Sequence, residues 1–148
     1  MKKLVQFVCV MLILSIMLAI PAQAETVVQP RGSAFFAAYG FDLEKTSAST
    51  FRVWYDVDGN AGANLQELGV SEIIVYRSAD QQSWTKMRTY TKEMYPSLIA
   101  LNTGSHGGYV TYSGASAGYY YTAYIIFYAK NSTGFAENYF YTEIIRMG

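Results

Sequence analysis

The segment Tyr119–Lys130 (YYYTAYIIFYAK) constrains the fold more strongly than any other part of the chain. Its tyrosine, isoleucine, phenylalanine and threonine residues suit a pleated, half-buried backbone. Bulky side chains occupy consecutive positions, so both faces of the segment carry apolar or aromatic groups. We therefore predict that this segment is the longest strand of the chain, and the role of its second bulky face becomes the main functional question.

Six further segments have a composition typical of strands and are separated by turn-forming residues. Phe51–Val57 (FRVWYDV) alternates with a period of two, as expected for a strand with one buried face. The other five lie near Ala34–Asp42, Val70–Ser78, Trp84–Tyr90, Tyr109–Tyr112 and Tyr139–Arg146. About seven strands with no helix of note predict an all-β, antiparallel β-sandwich of two sheets.

The connections between these segments carry turn chemistry. Asn131-Ser132-Thr133-Gly134 predicts the start of a hairpin loop between the last two strands. Asn131-Ser132-Thr133 also matches a glycosylation sequon, and we interpret it as hairpin chemistry. Thr91–Gly108 predicts a long crossover between the sheets, with one short turn of helix or strand near Ser97–Leu101.

The N-terminus has the three parts of a secretory signal peptide. Met1-Lys2-Lys3 is basic, Leu4 to Ile20 is apolar, and Pro21 precedes the small-residue site Ala22-Gln23-Ala24. An uncleaved membrane anchor is the alternative, but the apolar run is at the low end of the roughly 17–25 residues that span a bilayer. We predict a signal peptide over residues 1–24, a flexible leader over 25–33 and one domain over 34–148. The expected location is extracellular or at the cell surface, and no sortase-type tail or lipid-attachment cysteine is visible.

Charge and cysteine content exclude several classes of protein. Without Lys2 and Lys3, 9 of the 11 basic residues remain against 11 acidic ones, so the mature chain is slightly acidic. It lacks the basic surface expected for binding nucleic acid or anionic lipid. The one cysteine, Cys9, lies in the predicted signal peptide, so we expect a mature chain that is stabilised by its core without disulfides.

Two segments carry a resemblance to a known fold family. IIVYRSADQQSWTKMRTY and GYYYTAYIIFYAKNSTG resemble the third-to-fourth and sixth-to-seventh strand regions of fibronectin type III and other immunoglobulin-like modules. The marks are Gly118-x-x-Tyr121 and Ala129-x-Asn131-x-x-Gly134. The resemblance implies that Tyr121 is the corner tyrosine whose hydroxyl bonds to nearby backbone. The mature chain is also similar to small secreted proteins of Gram-positive bacteria (Firmicutes). Both resemblances imply a fold and a compartment, and neither implies an activity.

Two loops contain patterns that bear on binding sites. Ser78–Trp84 (SADQQSW) resembles the Asp-box hairpin of sialidase propellers, which implies a turn-stabilising role. The second pattern has the spacing of oxygen ligands in a calcium loop. Its candidate ligands are Asp56, Asp58, Asn60, Asn64 and Glu67. Ala61 occupies the position that requires glycine, and a strand precedes the loop, so a solvated loop is favoured over a calcium site.

Catalysis has little support in the sequence. His106 is the only histidine, and no Gly-x-Ser-x-Gly elbow or mature cysteine accompanies it. A single histidine is also a poor start for a zinc site. We predict a loop histidine without a special role, a protein that is not an enzyme, and no cofactor.

The sequence instead favours binding through one sheet face. If the odd-numbered residues Tyr121–Ala129 face the core, the even-numbered ones face outward, where polar residues are normally found. The neighbouring third strand adds two residues to the same face. The predicted binding residues are Ile74, Tyr76, Tyr120, Tyr124, Ile126 and Tyr128. Tyrosine offers a large contact area and a hydroxyl group, which explains its frequency at interfaces.

The prediction is a secreted binding module whose partner is a surface glycan, another protein or a second copy of the chain. Structural alternatives remain open, because the leader, the crossover or cross-strand aromatic contacts could cover the face. Two other functional classes also remain, namely a secreted toxin or antimicrobial β-sandwich and, with less support, an extracellular hydrolase.

Overall fold

A computed structural model describes residues 34–148, and the predicted signal peptide and leader lie outside the described residues. The described chain contains nine strands and one short 3₁₀ helix, Pro96–Leu98. The strands are β1 Phe36–Ser47, β2 Thr50–Gly59, β3 Glu67–Ser78, β4 Thr85–Thr91, β5 Ile99–Leu101, β6 Ser105–Ser113, β7 Tyr120–Asn131, β8 Gly134–Tyr141 and β9 Ile145–Arg146. Within residues 34–148, no helix is long and apolar enough to cross a membrane.

The strands form two antiparallel sheets that pack as a sandwich, which confirms the predicted all-β architecture. The smaller sheet has the order β1-β2-β6, and the main path of the larger one is β4-β3-β7-β8. The short strand β5 extends the larger sheet beside β3, and β9 pairs with the first residues of β7. Seven strands are long, in agreement with the sequence, and the two short ones raise the total to nine.

The core lies between the inner faces of the two sheets. On β7 the odd-numbered residues point inward as predicted, and all five are fully buried: Tyr121, Ala123, Ile125, Phe127 and Ala129. On the opposite sheet Tyr39 packs against the Phe127 ring at 4.7 Å and the Phe140 ring at 5.1 Å between centroids. The Tyr39 hydroxyl accepts a hydrogen bond from the side chain of Asn138 on β8. These contacts join β1 to the free edge of the larger sheet.

The sequence predicts one short turn of helix or strand near Ser97–Leu101 within the connection Thr91–Gly108, and the structure has one of each. Pro96–Leu98 forms the 3₁₀ helix and Ile99–Leu101 forms β5. The crossover is shorter than predicted, because β6 begins at Ser105 and includes His106, Gly107 and Gly108. The prediction that His106 lies in a loop is therefore wrong.

Close packing explains one of the two glycines that the sequence suggested were loop residues. A Cβ on Gly108 would lie 2.7 Å from the hydroxyl of the buried Tyr55 side chain, so this glycine leaves space for that ring. A Cβ on Gly107 would lie 2.9 Å from the carboxylate of Asp56, an exposed side chain that has room to turn away. Gly69 similarly leaves space for Leu98 in the crossover, because a Cβ on Gly69 would lie 2.0 Å from the Leu98 carbonyl oxygen. The φ of Gly69, +154°, also favours glycine.

The C-terminal segment also differs from its prediction. The last strand was expected over Tyr139–Arg146, but β8 begins at Gly134 and ends at Tyr141, and β9 follows after a break. Thr142 causes this break. Its side-chain hydroxyl accepts the hydrogen bond from the backbone N–H of Ala123, in place of the backbone carbonyl that would accept it in a regular ladder.

Two local predictions are confirmed by hydrogen bonds. The Tyr121 hydroxyl accepts a hydrogen bond from the backbone N–H of Ser116 at 2.8 Å, which is the predicted bond to nearby backbone. In the turn between β3 and β4, one Asp80 carboxylate oxygen accepts bonds from the backbone N–H groups of Ser83 and Gln82, both at 2.9 Å. Those bonds, followed by one from the Ser78 hydroxyl, lower the pKa of Asp80 below its ordinary value. This loop is a structural turn.

Candidate binding face

The outer face of the larger sheet carries most of the aromatic residues that point away from the core. Cross-strand register places Ile74 beside Tyr124 and Tyr124 beside Tyr141, so these residues share one side of the sheet. We call this side the aromatic face. Its apolar and aromatic members are Ile74, Tyr76, Tyr120, Tyr124, Ile126, Tyr128, Phe135, Tyr139 and Tyr141.

The six predicted binding residues all belong to this face, but they are less exposed than expected. Tyr76, Tyr120, Tyr124 and Ile126 are half-buried. Ile74 and Tyr128 are buried, with exposed fractions of 9% and 7%. Neighbouring side chains cover these two residues, and the role of all six in binding stays a prediction. The Phe135 ring stacks at 6.0 Å from the Tyr128 ring, and the Lys92 ammonium lies 3.6 Å from the centre of the same ring.

The most exposed rings of the face belong to β8, and none of them is among the predicted binding residues. Phe135, Tyr139 and Tyr141 have exposed fractions of 66%, 66% and 60%. They alternate along β8 and pair with the outward residues of β7, Lys130, Ile126 and Tyr124 respectively. Extending the predicted hairpin by strict pairing from Asn131 and Gly134 would have placed all three on this face.

Tyr124 lies at the centre of the aromatic face. Its ring centroid is 4.9 Å from that of Tyr141 and 5.6 Å from that of Tyr139, and Tyr141 lies 6.5 Å from Tyr76. Burial first, and then the neighbouring Tyr139 and Tyr141 hydroxyls, raise the pKa of Tyr124. Such tilted ring pairs stabilise the sheet, so cross-strand aromatic contacts account for part of the face, as the structural alternative proposed.

Charged residues border one end of this face. Glu67 accepts a hydrogen bond from the Lys130 ammonium at 3.1 Å and lies 4.0 Å from the Lys92 ammonium. The bond to Glu67 raises the pKa of Lys130. Within the face, Glu137 of β8 reaches across β7 and accepts a hydrogen bond from the Ser71 hydroxyl of β3 at 3.0 Å. The face therefore has an aromatic centre and a charged group at one end, which resembles part of the apolar core and polar rim of many protein interfaces.

The calcium alternative loses its geometry in the fold. Asp56 and Asp58 are exposed residues of β2 rather than members of a loop. Glu67 lies on β3 in the other sheet and is paired with lysines. Residues 34–148 contain no group of three or more histidine, cysteine or acidic side chains placed to hold a metal ion.

His106 anchors the crossover to the smaller sheet. Its Nε2 atom lies 3.0 Å from the Ser97 carbonyl oxygen and 3.4 Å from the Tyr55 hydroxyl. The Tyr55 hydroxyl also donates to the Ser97 carbonyl at 3.3 Å, and burial raises the pKa of Tyr55 to about 12. These contacts give the histidine a structural role.

A second, smaller aromatic group lies on the outer face of the other sheet. The Trp54 and Tyr109 rings are 4.7 Å apart, and the Arg52 guanidinium lies 4.5 Å above the Tyr109 ring. The Trp54 indole N–H donates to Glu44 at 2.7 Å, and Arg52 lies 3.7 Å from the same carboxylate. This group is largely satisfied by its own contacts.

Comparison with known proteins adds no family to this description. The chain matches no protein-family model and has no significant match among curated proteins.

Proposed function

We propose that this chain is an exported, non-catalytic binding module that recognises an extracellular protein through its aromatic face. The observation that carries the proposal is the exposure of three rings, Phe135, Tyr139 and Tyr141, beside the half-buried Tyr76 and Tyr124. Side chains of this type provide large contact areas at little cost in conformational entropy. An open sheet face bordered by charges suits the flat surface of a folded protein.

The proposed module type is an immunoglobulin-like domain of the fibronectin type III kind. Two observations support it. Of the seven long strands, the first, second and fifth along the chain (β1, β2 and β6) form the smaller sheet. The fourth, third, sixth and seventh (β4, β3, β7 and β8) lie side by side in that order in the larger sheet. The corner tyrosine, Tyr121, makes its backbone hydrogen bond.

A binding role is supported further by the state of the polar groups. His106, the one histidine, is engaged with the Ser97 carbonyl and Tyr55 rather than with a nucleophile. The exposed Tyr139 and Tyr141 rings each carry a hydroxyl group that can both donate and accept a hydrogen bond. These hydroxyls can bond to a partner.

The proposal is tested with the secreted chain carrying Tyr139→Ser and Tyr141→Ser together. Because aromatic residues at the centre of an interface often contribute 2 kcal/mol or more, we expect affinity for the partner to fall about 30-fold or more. Partners are sought with immobilised chain against cell-surface protein extracts and against a glycan array.

The matched control is Tyr109→Ser, which removes an exposed tyrosine from the opposite sheet. Binding that survives in the double variant, or is lost equally in the control, would contradict the proposal. Retention of glycans alone, with the same sensitivity to the double variant, would identify the partner as a glycan. The melting temperature of each variant is measured so that unfolding is not mistaken for lost contacts.

A further inference from the structure

The free edge of β8 differs from the other edges of the sandwich. Within residues 34–148, β8 pairs with β7 alone, and its pairing runs from Asn131–Gly134 to Tyr124–Tyr141 without a register shift. Alternate backbone N–H and C=O groups of such a strand point away from its partner. The strand has no proline, lysine or arginine, and Glu137 is its single charge.

The other long edge strands, β1, β4 and β6, have features that discourage pairing with another chain. β4 contains a register shift and carries Lys86 and Arg88, and β1 has register shifts near both ends. On β6, the Tyr90 hydroxyl donates to the Thr111 carbonyl at 2.8 Å and so occupies a backbone acceptor. Irregular pairing, positive charge and covering side chains are the usual means of protecting an edge. β8 lacks them and is a regular strand ready for addition of another strand.

We propose that two copies of the chain pair through their β8 strands in an antiparallel dimer. The second copy is the occupant that this edge fits, because an antiparallel strand about a twofold axis presents the same sequence to itself. The two larger sheets then form one continuous sheet, and their aromatic faces merge. The proposal does not depend on whether the aromatic face binds another protein.

The register of the dimer follows from its outward side chains. A twofold axis at Asn138 places Phe135 opposite Tyr141 of the second copy and Glu137 opposite Tyr139 of the second copy. This register pairs nearly the whole strand and puts no like charges opposite each other. It also joins Phe135 and Tyr141, which are 66% and 60% exposed in the single chain, across the interface.

The experiment measures the sedimentation of the secreted chain over a range of concentrations. We expect a mass of two chains for the wild type. Tyr139→Glu places two carboxylates opposite each other across the interface, so we expect a monomer. Adding Glu137→Lys to that variant restores an opposite-charge pair in this register alone, and we expect the dimer to return.

Tyr109→Glu is the matched control, because it makes the same change at an exposed tyrosine of the edge strand β6, and it should remain dimeric. A wild type that stays monomeric up to about 100 µM, a range that detects even weak association, would overturn the proposal. Loss of the dimer in the control with retention in Tyr139→Glu would also overturn it. So would a dimer that forms only after residues 25–33 are removed, since the leader would then cover β8 in the secreted chain.

Discussion

At the scale of single residues, two threonines show opposite hydrogen-bonding states, Thr142 in the break after β8 and Thr89 on β4. The Thr142 hydroxyl accepts from the backbone N–H of Ala123 at 2.9 Å and donates to the Glu143 carbonyl at 3.0 Å. The Thr89 hydroxyl is buried without a hydrogen-bond partner among the described residues. A buried polar group is stabilising only when its hydrogen bonds are made, so these two side chains should respond differently to the same change.

We predict that Thr142→Val lowers the free energy of unfolding by about 1–3 kcal/mol, because it leaves the buried Ala123 N–H without an acceptor. Thr142→Ser keeps the hydroxyl and should retain most of the stability. Thr89→Val, the matched control, removes an unsatisfied hydroxyl and should be neutral or stabilising. Urea unfolding monitored by tyrosine and tryptophan fluorescence measures all three. Equal losses at the two valine sites would contradict this account of Thr142.

At the scale of elements, the 3₁₀ helix is docked onto the smaller sheet by hydroxyl and imidazole contacts to one carbonyl, that of Ser97. Burial raises the pKa of Tyr55 to about 12 from its ordinary 10.0. A tyrosine whose pKa is raised in the folded state holds its proton more tightly there. Its contribution to stability is complete below pH 10 and is lost as the pH rises towards 12.

We therefore predict that the unfolding free energy of the wild type declines between about pH 10 and pH 12. Tyr55→Phe should cost about 1 kcal/mol at neutral pH through lost hydrogen bonds, and its decline at alkaline pH should be shallower. Tyr39, whose pKa burial also raises to about 12, maintains part of the decline in the variant. Urea titrations at closely spaced pH values measure the slope. The control is Tyr141→Phe, which changes an exposed ring. If the unfolding free energy of Tyr55→Phe declines with pH as steeply as that of the control, the decline does not come from Tyr55.

The sequence predicted strands and their inward-facing residues correctly where the pattern within a single strand was sufficient. The alternation in Tyr119–Lys130 correctly assigned every core residue of β7, because side chains of a strand alternate whatever its neighbours are. Exposure on the outer face was not predictable in this way. Tyr128 is covered by Phe135 from β8 and Lys92 from the end of β4, and these contacts exist only once the register between strands is fixed. The strand positions of Gly107 and Gly108 were not predictable for the same reason, since their neighbours lie on β2.

At the scale of the whole molecule, the domain is stabilised by two packed sheets without covalent cross-links in its described part. Cys9 is the only cysteine of the chain and lies in the predicted signal peptide, outside the described residues. The core is continuous from Phe51 and Tyr112 at one end to Phe36 and Tyr39 at the other. A domain of this size can bury enough apolar surface to fold without disulfides.

The thiol of Cys9 provides a direct test of export. We predict that the secreted protein has the mass of Glu25–Gly148, contains no thiol that reacts with an alkylating reagent, and unfolds at the same temperature with and without reductant. Cleavage requires a small residue before the cut, so Ala24→Trp should yield an uncleaved chain that remains with the cell membranes and takes up one alkyl group. A secreted wild type that carries an alkylated thiol would contradict cleavage after Ala24. A correctly cleaved chain that stays inside the cell would instead contradict the predicted extracellular location.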